Sequence, residues 1–263
     1  MIQICQFGAG RIGRMHAENL GRHPGYRLRY VVDVHEASAR AVAEATGAEV
    51  ADTGRALADP AIDAVLIASS TDTHAGLIEA AARARKAILC EKPIDLSYAR
   101  VQACLAEVAQ AGVPLMIGFQ RRFDAHFRAL KQAIDDGRIG AVEMVAITSR
   151  DPEPPPPAYI KVSGGLYRDM MIHDFDMARW LLGEEPVSVY ATGSCLIDPE
   201  IGRLGDVDSA MVILRTGSGT LGQISCSRRA AYGYDQRIEV HGAAGMVRAD
   251  NVRESTVELA SDA

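Results

Sequence analysis

Short apolar runs alternate with helical periodicity along the first 118 residues, and Gly, Asp, Ser or Pro marks each switch. The runs are IQICQF (2–7), LRYVVDV (28–34), AVLIAS (64–69), AILC (87–90) and VPLMIG (113–118). Between them, EASARAVAEATG, THAGLIEAAARARK and LSYARVQACLAEVAQAG have the period of an α-helix and end at Gly or basic residues, as helices do. Strands this uniformly apolar have no face for water. Strands of that kind separated by helices predict a doubly wound parallel sheet, α/β in class, covered on both sides.

The pattern changes after one more helical segment, RRFDAHFRALKQAIDDG. Longer, more alternating runs follow: AVEMVAITSR (141–150), PVSVYATGSCL (186–196), DSAMVILR (208–215), TLGQISCSRR (220–229), RIEVHG (237–242) and MVRAD (246–250). TGSG (216–219) and GAAG (242–245) are short Gly-containing connections that close hairpins. One large, open, mostly antiparallel sheet is expected, with the opening helix on one face. The predicted domains are therefore 1–119 and an α+β domain over 120–263. The proline run in PEPPPP (152–157) reads as a stiff extended connector.

Composition narrows the classes of function. At 263 residues the chain can bury a core in each of two domains, and 48% apolar with 24% charged residues is ordinary for a globular protein. A net charge of −6 without any Lys/Arg block argues against nucleic acid and anionic membrane as partners. No apolar run approaches the ~20 residues of a membrane span. Residues 1–20 lack a basic stretch followed by an apolar one, so no signal peptide is expected. Cys5, Cys90, Cys104, Cys195 and Cys226 show no C-x-x-C spacing and are odd in number, which points to core thiols in a cytoplasmic protein.

Gly8-Ala9-Gly10-Arg11-Ile12-Gly13 follows the first strand directly and opens the helical stretch RIGRMHAENLGRH. Glycine permits the tight turn and close approach by which a pyrophosphate reaches the free N–H groups of a helix start. Ordinary strand-to-helix turns also contain such triplets, so position matters more. Asp33, at the end of the second strand, stands where an acid would take the ribose hydroxyls. Its charge repels a 2′-phosphate and Val34 offers none to hold one, which favours NAD over NADP.

Glu91-Lys92-Pro93 follows strand AILC, at the same sheet edge as the glycine turn if the strands are parallel. A lysine there can hold a hydroxyl or carbonyl oxygen and assist its proton transfer. A surface Lys–Glu pair before a turn proline fits the spacing equally well, and the Lys92–Pro93 bond is a candidate cis peptide. In GGLYRDMMIHDFDMARWLLG (164–183), a helical wheel puts Asp169, Ile172, His173, Asp176 and Trp180 on one face and Asp174 on another. Taken alone, the stripe reads as the solvated face of a surface helix; against that, Ile172 and Trp180 within it suggest a cleft. Asp169 and His173 have the i, i+4 spacing that lets a carboxylate orient an imidazole. A metal site from Asp169, His173 and Asp176 lacks a further ligand nearby, so no metal is expected.

With the glycine turn, Asp33, EKP and G-G-x3-D-x3-H-x2-D in this order, nearly the whole chain resembles the Gfo/Idh/MocA family of oxidoreductases. STDTH (70–74), GFQRRFD (118–124), YIKVSGG (159–165), RDMMIHDFDMARWLLG and YGYDQRIEVHG (232–242) are similar to family members that oxidise myo-inositol. The resemblance implies a Rossmann-type NAD-binding domain (1–119) and a domain for substrate binding and oligomerisation (120–263). It implies oxidation of a ring hydroxyl of myo-inositol, or a related cyclic polyol, by hydride transfer to the nicotinamide. His173 would be the base, Asp169 its support and Lys92 the group that polarises the oxygen. Arg122, Asp151 and Tyr232 join Lys92 and His173 as candidate substrate contacts. Cofactor contacts fall to Gly8, Gly10, Arg11, Ile12, Gly13, Asp33, Ser69 and Glu91, together with Thr71 and His74 in the loop after the fourth strand. Asp176 is expected to support the site. A related sugar or sugar-derivative dehydrogenase and a non-catalytic NAD-binding protein are the alternatives.

The resemblance further implies a homo-oligomer, dimer or tetramer, assembled through the second sheet. Departures from the family are Arg85 at a common glycine position, and Gln120 and Ala125 where Asn and Pro are frequent. The family also continues past VRESTVELASDA (252–263) into further strand and a closing helix, so the second domain is expected to be shortened at its C-terminus.

Overall fold

A computed structural model describes residues 1–252. RESTVELASDA (253–263), on which the expectation of a shortened end rests, lies outside the described residues. The chain forms two compact units, Met1–Phe119 and Gln120–Ala263.

The first unit runs β1 (Ile2–Phe7), α1 (Arg11–Arg22), β2 (Tyr26–Val32), α2 (Glu36–Thr46), β3 (Glu49–Val50), α3 (Thr53–Ala58), β4 (Ala64–Ile67), α4 (Thr71–Arg83), β5 (Ala87–Cys90), α5 (Tyr98–Ala111) and β6 (Leu115–Ile117). Its strands are all parallel, in the order β3-β2-β1-β4-β5-β6. Successive side chains of a strand point to opposite faces, and both faces here are covered. Cys5, Phe7, Val65 and Ile67 enter one core while Ile4 and Leu66 enter another. That double burial is why the strands read as unbroken apolar runs. The periodic pattern missed β3 and α3, whose two and six residues are too short to show a period; Asp52 caps α3 by accepting from the Arg55 N–H at 2.8 Å.

The second unit opens with a 3-10 turn, Gln120–Phe123, and continues through α6 (Ala125–Asp135), β7 (Val142–Arg150), α7 (Pro157–Ser163), a π-helical turn (Leu166–Met170), α8 (Ile172–Leu182), β8 (Pro186–Ser194), α9 (Pro199–Arg203), β9 (Ser209–Thr216), β10 (Leu221–Ser227), β11 (Asp235–Gly242) and β12 (Gly245–Ala249). Its sheet has the order β12-β11-β7-β10-β9-β8 and is antiparallel except between β7 and β10. Phe127 and Leu130 of α6 and Met177, Leu181 and Leu182 of α8 share a core with Val145, Val212, Ile224 and Val240 of the sheet. On β9 burial alternates, which leaves Met211 and Ile213 exposed.

Two expectations need correction. The proline run is not wholly an extended connector, because α7 begins at its last proline, Pro157; the fixed φ of proline suits a first helical turn, where no backbone donor is needed. Cys195 is half-buried, whereas Cys5, Cys90, Cys104 and Cys226 are core residues, and burial pushes the Cys5 thiol up to about 12 and the Cys104 thiol to about 11. Among the described residues, no helix is long and apolar enough to cross a membrane.

Candidate active site

The strand order reverses between β1 and β4, and the glycine turn sits at the carboxyl end of β1, where open α/β sheets bind ligands. Its three glycines do different work. Gly8 has φ +98, and a Cβ there would lie 2.4 Å from the Ala68 carbonyl oxygen that follows β4. On Gly13 it would lie 2.2 Å from the Gly8 carbonyl oxygen, so this glycine lets α1 pack on the turn. A Cβ on Gly10 would meet nothing within 4 Å. Gly10 is the N-cap of α1, with no capping side chain and no acid in the first turn. The backbone at Arg11 and Ile12 therefore opens a helix start shaped to receive an anion.

Asp33 follows β2 and reaches back to this turn. Its Oδ2 accepts from the Ala9 N–H at 2.6 Å, and its Oδ1 accepts from the His35 N–H at 2.7 Å. A carboxylate has about four acceptor sites, so capacity for ribose hydroxyls remains. Gln6 braces this turn, and the sequence pattern passed over it. It is fully buried, and its Nε2 donates to the carbonyls of both Gly8 and Gly13 at 2.8 Å. The available signal was a polar residue one position from the carboxyl end of a mostly apolar strand.

Thr71 and His74 lie in the first turn of α4, not in a loop. His74 is buried, with Nδ1 2.7 Å from the Pro93 carbonyl and Nε2 3.1 Å from the Ser69 carbonyl. It ties the end of β4 to the segment after β5. The Ser69 hydroxyl meets that of Thr73 at 2.6 Å. Glu91 pairs with His16 of α1 at 2.7 Å, while Lys92 precedes Pro93 through a cis peptide bond.

In the second unit the anticipated single helix over 164–183 is two pieces. Gly164 and Gly165 have φ +87 and +79, the π-turn closes with Met171 N–H on the Leu166 carbonyl at 2.9 Å, and α8 follows. A regular wheel does not run through a π-turn, which inserts an extra residue. Asp169 belongs to the π-turn and His173 to the first turn of α8, both half-buried. Tyr159 of α7 donates its hydroxyl to Asp169 Oδ1 at 3.0 Å.

Asp174, set aside by the wheel as lying on another face, is fully buried and pairs with Arg121 at 2.5 Å. Burial pushes its carboxyl up, and Arg121 and Ser149 pull against that shift. Asp176 accepts two bonds from Arg122, at 2.7 and 2.8 Å, and Arg122 stands over the Trp180 ring at 5.7 Å. Arg122 is thus held by Asp176, as an oriented cation would be. Asp151 follows β7, and burial raises its carboxyl, opposed by Arg228 and Arg121 and reinforced by Asp169 and Asp174. Asp151, Asp169 and Asp174 are therefore electrostatic neighbours. Tyr232 is largely exposed and donates to Asp235 at 2.9 Å.

Residues 2–119 match the model of the oxidoreductase family with NAD-binding Rossmann fold, and residues 127–248 match the GFO/IDH/MocA C-terminal domain. An inositol 2-dehydrogenase of Rhizobium meliloti (strain 1021) is 59% identical, over 99% of this chain and 79% of that protein. A myo-inositol 2-dehydrogenase of Thermotoga maritima is 51% identical with the same coverage of each. A scyllo-inositol dehydrogenase from Lactobacillus casei, crystallised with NAD(H) and scyllo-inositol, superposes with a TM-score of 0.89 at 30% identity, over 100% of this chain and 80% of that one.

Proposed function

The chain belongs to the GFO/IDH/MocA family of oxidoreductases, and we propose that it oxidises a ring hydroxyl of myo-inositol, or a related cyclic polyol, to the ketone with NAD. The observation that carries this reading is the uncapped glycine turn with Asp33 bonded across it, in a chain whose relatives are named for inositol oxidation.

NAD, when bound, supplies the hydride acceptor. The protein's own groups bind, orient and move the proton. The N–H groups that open α1, at Arg11 and Ile12, receive the pyrophosphate, and Asp33 takes ribose hydroxyls while repelling a 2′-phosphate. Ser69, Thr71, His74 and Glu91 shape the cofactor's edge of the first unit. His173 accepts the substrate hydroxyl proton, Asp169 orients the imidazole and stabilises its charged form, and Lys92 donates to the oxygen as it becomes a carbonyl. Arg122, Asp151 and Tyr232 hold other hydroxyls of the ring.

NADH absorbance after adding NAD and myo-inositol, scyllo-inositol or a panel of sugars tests the reading. Turnover is expected with an inositol; turnover confined to a sugar derivative would move the substrate within the family. No turnover with any polyol, despite tight NAD binding, would sink the proposal. His173→Ala should abolish turnover and spare NAD binding, and an unchanged rate would remove His173 as base.

We further propose a cytoplasmic homo-oligomer, dimer or tetramer. The open face of the second sheet supports it, since Tyr190, Met211 and Ile213 expose apolar surface there, with Tyr190 paired to Ile213 in register. Light scattering that gave a monomer mass at micromolar concentration would refute the assembly.

A further inference from the structure

The segment carrying Asp169 begins where the backbone meets a carboxylate. A Cβ on Gly165 would lie 2.5 Å from Asp206 Oδ1, so only a bare backbone admits this approach. Both Asp206 oxygens accept from the Leu166 N–H, at 2.9 and 3.1 Å. Leu166 is the first residue of the π-turn, and Asp206 thereby caps the segment at its positive end.

Arg228 stands behind Asp206. Its Nη2 is 3.2 Å from Asp206 Oδ2, and its side chain is 1% exposed. Among the described residues, its Nε, Nη1 and Nη2 make no hydrogen bond. The interaction with Asp206 is therefore one of charge, which offsets the desolvation of a buried guanidinium. The loop presenting Asp206 is itself anchored. Arg228 N–H donates to the Asp208 carbonyl at 2.9 Å, and the Asp208 carboxylate gathers the N–H groups of Leu196, Ile197 and Asp198 at 2.9, 2.9 and 3.1 Å.

We propose that Asp206 and Arg228 are positioning residues for the reaction assigned above, on which this inference rests. The pair holds the π-turn, and so the orientation of Asp169, in place before substrate arrives. Neither residue need touch substrate or cofactor. Catalysis is sensitive to such support, since a small misplacement of a reacting group can cost about a hundredfold in rate.

Two variants of the full chain test the pair. Asp206→Asn keeps an acceptor for Leu166 N–H but removes the charge facing Arg228; Arg228→Lys keeps the charge with a different reach. In D206N, hydrogen exchange should quicken over residues 164–173 and nowhere in the first unit. Its kcat with myo-inositol should fall about ten- to a hundredfold, with KM for NAD changing less than about threefold. R228K should change in the same direction by less. A kcat within about twofold of the parent in both variants overturns the proposal, and so does faster exchange spread over the whole second unit, the mark of a merely structural role. If D206N fails to fold, R228K decides by the same criteria. If the parent turns over no polyol, the functional reading has failed, and local exchange still shows whether the pair holds the turn.

Discussion

Arg121 and Asp174, 53 positions apart, form an ion pair at 2.5 Å inside the second unit. The pair ties the 3-10 turn to α8, and Arg121 also reaches the Ser149 hydroxyl of β7 at 3.4 Å. Removing one partner leaves a buried charge uncompensated. Arg121→Met should destabilise the second unit by about 3–5 kcal/mol, whereas the double change with Asp174→Leu should restore most of that loss. Urea unfolding of the three proteins measures it, and equal losses in the single and double variants would show that charge balance is not what matters.

The carboxyl of Asp151 gives a pH signature of known sign. Burial raises it in the folded state, so the folded protein binds this proton more tightly than the unfolded chain does. Its stabilising contribution is present below the ordinary carboxyl value of about 4 and is lost as pH rises through the raised value. Asp151→Asn should therefore gain stability relative to the parent between about pH 4 and pH 7. Unfolding midpoints at both ends of that window check it; a relative loss on going to neutral pH would reverse the assignment.

Gly10 and Gly13 should respond differently to alanine. At Gly10 a methyl meets open space, so Gly10→Ala should leave the melting temperature nearly unchanged while weakening NAD binding at least about tenfold, a loss of ~1.4 kcal/mol. At Gly13 the methyl meets the Gly8 carbonyl, and Gly13→Ala should lower the melting temperature itself. Calorimetry of both, with and without NAD, separates ligand approach from packing.

Arg85 is, among the described residues, the sole non-glycine residue with positive φ, at 62°. Left-handed backbone costs a residue with a Cβ roughly 1–2 kcal/mol, partly offset by the freedom glycine has when unfolded. Arg85→Gly should stabilise the first unit by about 0.5–1 kcal/mol. Ala125→Pro should help similarly, by about 0.4–1 kcal/mol. It stands at the first position of α6, after Asp124 at φ −63, ψ 134, which a following proline accepts. Thermal unfolding of each variant tests the direction.

Sequence by itself determined the class of both sheets, parallel in the first unit and mostly antiparallel in the second, but not the strand orders or β3. Double-sided burial writes itself into unbroken apolar strands, and a half-buried sheet writes itself into alternation, as in β9. The dinucleotide turn was legible for a similar reason: Gly8 to Gly13 and Asp33 act at local spacings along one strand-turn-helix unit. Only the tertiary structure decided the second unit's acids. Asp174 finds Arg121, Asp176 finds Arg122, and Leu166 finds Asp206, partners 53, 54 and 40 positions away. A helical wheel reports which face a residue occupies on its own helix, not what comes to meet it. It also presumes a regular helix, and the π-turn between Gly165 and Met171, whose first N–H is taken by a carboxylate 40 positions away, breaks that regularity. Local periodicity is a property of neighbouring residues, whereas ionisation and capping in a core depend on charges brought together by the fold.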